Sequence, residues 1–154
     1  MTAPGYDHTQ HAPLGWIIVG SSVVMMILSV AVPAEAAMGM RIAAATTFPL
    51  GFMFMTLRVR DLDDRLLVSF GPLPLFRKTI PYDAIHGVRA GRSSWSEGWG
   101  IHSVRRGDRR GWIYNLWGSG CVELDLGERI FVVGTDEPKR LARFLDQRIS
   151  PDRG

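Results

Sequence analysis

The chain has 154 residues, a formal net charge of +3 and one cysteine. A single cysteine excludes an intramolecular disulfide and any cysteine-built zinc site, and so small a basic excess does not point to nucleic acid. The charge is unevenly placed, because 17 of the 18 Lys and Arg and 13 of the 15 Asp and Glu fall within 58–154.

Residues 1–13 read as a short tail without Lys or Arg. Two apolar stretches follow, 14–32 without a formal charge and 36–57 with Arg41 alone. As a helix the first would reach about 28 Å, close to the ~30 Å hydrocarbon core of a bilayer. The break at Pro33-Ala34-Glu35 is short, so the pair is expected to form a two-helix transmembrane hairpin, kinked at Pro49. Arg58, Arg60 and Arg65 follow the second span. By the positive-inside rule both termini would be cytoplasmic, in a multi-pass protein of the inner cell membrane. Trp16, Arg58 and Arg60 are then the expected membrane-interface anchors. Two alternatives are a signal peptide cleaved near Ala34-Glu35-Ala36 and a second stretch that is a buried helix of a water-facing fold.

From Leu57 the period changes to two. Leu57 and Val59, then Leu66, Val68 and Phe70, then Phe76, Lys78 and Ile80 mark three strands, with breaks at Asp63-Asp64 and Gly71-Pro72. A short strand begins near Val88, and 91–100 reads as a polar loop. Residues 101–104 and 112–116 are expected to pair around the tip at 105–110. Val122, Leu124 and Leu126 alternate with Glu123 and Asp125, and after Gly127-Glu128 a last strand returns over 130–133. The pattern then turns helical: Thr135 or Asp136 as N-cap, Pro138 in the first turn, an apolar face of Leu141, Phe144, Leu145 and Ile149, and a stop at Ser150-Pro151.

About seven antiparallel strands and one amphipathic C-terminal helix is the order of a pleckstrin-homology-like (PH-like) barrel. Ser-Phe-Gly-Pro at 69–72, the turn from Ile80-Pro81 to Ile85, Gly98-Trp99-Gly100-Ile101 and Gly111-Trp112-Ile113-Tyr114-Asn115 are turn and packing signatures. So are Val122-Glu123-Leu124-Asp125-Leu126 and Gly134-Thr135-Asp136-Glu137-Pro138. Over roughly 57–149 these resemble the bacterial membrane-anchored PH-like domain proteins. The resemblance implies a fold and a membrane-side location. It implies no reaction, cofactor or catalytic residue. The expected architecture is a membrane-anchored, mainly β protein: the transmembrane hairpin, a PH-like antiparallel β-barrel or sandwich over 58–150 with its C-terminal helix, and a tail at 151–154.

Arg105, Arg106, Arg109 and Arg110 surround Gly107-Asp108 and are candidates to contact lipid phosphates or an acidic partner, against the plainer reading of a solvated turn. Trp95 lies in the polar loop and is a further contact candidate, whereas Trp99 and Trp112 fit a small core. Asp7, His8 and His11 lack the second shell a metal site needs, so no metal is expected. His86 and His102 read as structural, and Cys121 as a small buried hydrophobe. Gly118-Ser119-Gly120 is not a nucleophile elbow, and no phosphate loop or dinucleotide fingerprint is present.

The sequence thus points to a non-enzymatic interaction module at the membrane face, without cofactor. Its expected partners are membrane lipids, a membrane or cytoplasmic protein, or a further copy of itself. The alternative is an accessory subunit of a transport or envelope-assembly complex that acts through its hairpin, where Gly39 and 43–45 offer small residues for helix contact.

Overall fold

A computed structural model describes residues 5–73, 76–93 and 99–150. Strand β1 (Asp7–His11) leads into helices α1 (Pro13–Leu28) and α2 (Ala34–Met53). Eight strands follow: β2 (Thr56–Asp61), β3 (Arg65–Phe70), β4 (Phe76–Pro81), β5 (Gly87–Arg92), β6 (Gly100–Arg106), β7 (Arg109–Asn115), β8 (Gly120–Asp125) and β9 (Arg129–Gly134). A 3-10 turn at Tyr82–Ala84 precedes β5, and α3 (Pro138–Ile149) closes the order.

The transmembrane hairpin is overturned. Among the described residues no helix is long and apolar enough to cross a membrane. Helix α1 stops after 16 residues, about 24 Å at the usual rise. The remaining apolar residues of 14–32 are spent on the turn, where Val30 and Ala31 bond back to Ile27 and Leu28. Helix α2 has 20 residues, but Glu35, Arg41, Thr46, Thr47 and Pro49 dilute its apolar run. The membrane-anchored fold and the multi-pass inner-membrane location with cytoplasmic termini fall with it, and Trp16, Arg58 and Arg60 lose the spans they were to anchor.

The two helices pack on each other through small residues at seven-residue spacing. Gly15, Ser22 and Ser29 are buried on α1 and its end, and Ala37, Ala44 and Gly51 on α2. A Cβ on Gly51 would lie 2.7 Å from Ile18 Cγ2, so the contact depends on its absence. The hydroxyls of Ser22 and Thr47 lie 2.8 Å apart, and Arg41 Nε donates to Ser29 Oγ at 3.2 Å. Gly39, a candidate from the sequence, faces open space instead. Large side chains point away from the seam: Trp16, Ile17, Val24, Ile27, Ile42 and Leu50 are all more than half exposed.

The strands form two sheets. The first has the order β1-β2-β3-β4, all antiparallel. The second has the order β5-β8-β9-β7-β6, with β7 parallel to β9 and the other pairs antiparallel, so the antiparallel PH-like barrel or sandwich expected over 58–150 is corrected to two sheets, one of them mixed and the other joined by β1. The main core lies between the sheets and α3. Leu57, Val59, Leu66, Val68, Phe70 and Ile80 face it from the first sheet, and Val122, Leu124, Phe131 and Val133 from the second. Leu141, Ala142 and Leu145 close it from α3. A second cluster of Val104, Ile113, Cys121, Ile130 and Val132 sits on the opposite face of the second sheet. Burial on both faces accounts for the unbroken apolar run from Ile130 to Val133.

Candidate functional site

The second sheet has five strands and the first has four, so the inner face of the second is not fully covered. Its uncovered end is an apolar groove of about 490 Å³ between β4 and β6-β7. Tyr114 and Phe131 form the floor together with Phe54, which enters from the end of α2. The rings stack in series: Phe54 meets Phe70 edge-on with centroids 5.5 Å apart, Phe70 meets Tyr114 at 5.6 Å, and Tyr114 meets Phe131 at 5.0 Å. Burial raises the Tyr114 hydroxyl above the ordinary tyrosine range.

Phe76 and Trp112 form the rim, 45% and 54% exposed, with Lys78 beside them. Alternation explains each position. Phe76 and Lys78 share the side of β4 that buries Ile80, and Trp112 shares the face of Tyr114. Trp112 is therefore on the groove and Trp99 is 42% exposed against Trp117, which corrects the core reading of both. Among the described residues, β4 and β6 are edge strands of their sheets, and the groove runs between them.

The four arginines of the β6-β7 hairpin do not act as one cluster. Arg106 reaches Glu123 at 3.2 Å, and Arg109 pairs with Asp125 at 2.5 Å. That pairing holds the Asp125 carboxyl below its ordinary value, helped by the Gly127 amide, and raises Arg109. Arg105 Nε donates to the Gly107 carbonyl at 3.0 Å, and Arg105 and Arg110 face each other across the hairpin, both exposed. Arg58 pairs with Asp7, tying β1 to β2. Arg60 is half-buried on β2, and Trp16 is exposed on α1. Trp95 lies outside the described residues.

Strand β1 was missed by the sequence, because 7–11 carries no apolar alternation. It is held by its ladder to β2, by Gln10 Nε2 donating to the Trp117 carbonyl at 2.7 Å, and by His8 beside Asp136. Asp7 and His8 are engaged separately, with Arg58 and with Asp136. Among the described residues no three His, Cys, Asp or Glu side chains are placed to hold a metal ion. Phe76 and Lys78 read from the sequence as strand positions, and Ile101 and Tyr114 as packing signatures, but no groove residue apart from Trp112 was weighed there as part of a contact surface. The available signal was Lys78, a charge on the core-facing parity of β4.

The chain matches no protein-family model, no curated protein and no solved structure. These comparisons bring nothing to bear on the PH-like resemblance.

Proposed function

We propose that the chain is a non-catalytic interaction module whose inter-sheet groove binds an extended segment of a protein partner. The observation that carries this reading is the aromatic groove set between the edge strands β4 and β6. An extended segment can pair with a free strand edge through its backbone and place alternate side chains in the groove. Phe76 and Trp112 are aromatic rim residues of the kind that anchor interfaces. Lys78 at the mouth favours a segment that combines apolar side chains with a carboxylate.

In-cell photo-crosslinking from positions 76 and 112, followed by mass spectrometry, is the test. The expected adduct maps to one extended acidic and apolar segment of one protein. A synthetic peptide of that segment should bind the purified full chain, and Trp112→Ala should weaken binding roughly tenfold or more. Adducts confined to phospholipid, or peptide binding indifferent to Trp112→Ala and Lys78→Glu, would refute the reading.

A second reading is favoured by the hairpin. Its small residues face inward and its large apolar residues outward, the reverse of a hairpin folded to shed water. In this reading the chain is an accessory subunit of a larger assembly, seated by its helices among apolar helices of a partner. Probes at Ile27 and Phe48 test it: cross-links to a protein helix support it, and capture of lipid alone counts against it.

A further inference from the structure

We propose that the outer face of the second sheet carries a separate site for a phosphate group. A cavity of about 330 Å³ opens there, within the size range of small-ligand clefts. Four arginines from three strands line it: Arg89 and Arg92 from β5, Arg106 from β6 and Arg109 from β7. The register explains the convergence of Arg89, Arg106 and Arg109, while Arg92 reaches the cavity from the end of β5. Arg89 lies opposite Glu123 on β8, and Arg106 opposite Arg109 at the end of the β6-β7 ladder. Gly91, opposite Cys121 in the ladder, adds no side chain to the cavity, and the floor is the buried pair Cys121 and Ile130.

Three of the guanidinium groups are positioned without a ligand. Arg106 is held by Glu123, Arg109 by Asp125, and Arg92 by two bonds to Ser119 Oγ at 3.1 and 3.3 Å. Arg89 has no ion pair among the described residues. Among the described residues these four guanidinium groups share two carboxylates, Glu123 and Asp125, so the concavity is rich in donors. The oxygens of a phosphate accept from such donors. Guanidinium forks present paired donors that match the oxygens of a phosphate better than a single carboxylate fills them. The source of the phosphate, a soluble ester or a lipid headgroup, is common chemistry to this site.

Titration calorimetry of the purified full chain with pyrophosphate is the first arm. Co-sedimentation with phosphatidylcholine vesicles, with and without phosphatidic acid, is the second. Arg89→Ser with Arg92→Ser leaves both ion pairs in place and should weaken binding roughly tenfold or more in whichever arm is positive. Glu123→Gln removes the carboxylate that competes with the ligand and should tighten binding. Asp108→Asn, the same charge change at the exposed tip, should leave it unchanged. Pyrophosphate binding with this pattern assigns a soluble phosphate ligand, and the same pattern on phosphatidic acid vesicles alone assigns a headgroup. No binding in either arm, or equal effects of Glu123→Gln and Asp108→Asn, would overturn the site and leave only diffuse charge attraction. Circular dichroism of each variant separates loss of the site from loss of the fold.

Discussion

Asp61 at the end of β2 holds Arg148 near the end of α3, across 87 positions of sequence. The Asp61 side chain is 2% exposed, and it also accepts from the Tyr82 hydroxyl at 2.8 Å and the Asp63 amide at 2.9 Å. One carboxylate thus joins the first sheet, the turn after β4 and the C-terminal helix. Burial and this bond push the Tyr82 hydroxyl far above its ordinary range. Arg148→Met would strand the carboxylate without its counter-charge and should cost about 3 kcal/mol in urea unfolding. Tyr82→Phe should cost about 1 kcal/mol. Equal and negligible effects would show that α3 is held by its apolar face alone.

Among the described glycines, Gly111 is the least tolerant of a side chain. A Cβ there would sit 1.7 Å from the Ile130 carbonyl oxygen, inside the β7-β9 ladder. Gly111→Ala is expected to prevent stable folding. Gly107→Ala at the hairpin tip meets open space and suffers only from its φ of +62°, so a loss of about 1 kcal/mol is expected. Thermal unfolding of the two variants side by side checks the contrast.

The hairpin seam makes a third prediction. Gly51→Leu would drive a side chain into Ile18 and separate the helices, whereas Ile27→Gln alters only an outward position. A disulfide or spin-label pair bridging α1 and α2 should report separation in the first variant and none in the second. An unchanged inter-helix distance in Gly51→Leu would disprove seam packing by small residues.

Alkaline stability should depend on Tyr6. Its side chain is 4% exposed, and burial, with a further contribution from Glu137, raises its hydroxyl from 10.0 to about 12. The unfolded chain therefore ionises first. The contribution is intact below pH 10 and is lost as pH climbs toward 12. Tyr6→Phe should flatten the decline of stability over that window, and an unchanged slope would assign the decline elsewhere.

At the acid end the signs reverse. Arg58 holds Asp7, and Arg109 holds Asp125, below the ordinary carboxyl value of 3.8. Depressed values add stability that is present above 3.8 and lost as pH falls through the folded-state values. Both pairs are largely solvent-exposed, so the effect is expected to be small and to fade in high salt. A variant carrying Arg58→Ser and Arg109→Ser should show a shallower acid transition in low salt and an unaltered one in high salt.

Strands buried on one face announced themselves in the sequence. Leu66, Val68 and Phe70, and Val122 and Leu124, alternate as the core demands, and Leu141 and Leu145 keep helical spacing on α3. Features set by long-range pairing did not. Strand β1 has no apolar signal of its own and exists because β2 offers it an edge. Trp112 reads as core from composition, and becomes a groove residue only because the first sheet ends at β4. The length of 14–32 suggested a span, yet the helix ends at Leu28 and the rest of the run forms the turn. Arg89 and Arg106 lie on strands at opposite edges of one sheet, and no local pattern connects them.

The parallel pair of β7 and β9 sets a constraint on how the chain is made. The hairpin β6-β7 and the long-range pair β5-β8 leave edges that β9, the last strand among the described residues, joins. On a ribosome the second sheet would remain two unjoined pieces until residue 134 has emerged, with the floor of the groove incomplete. A stop or frameshift before β9 would then release open, apolar strand edges, the species most prone to aggregation and most readily taken by proteases.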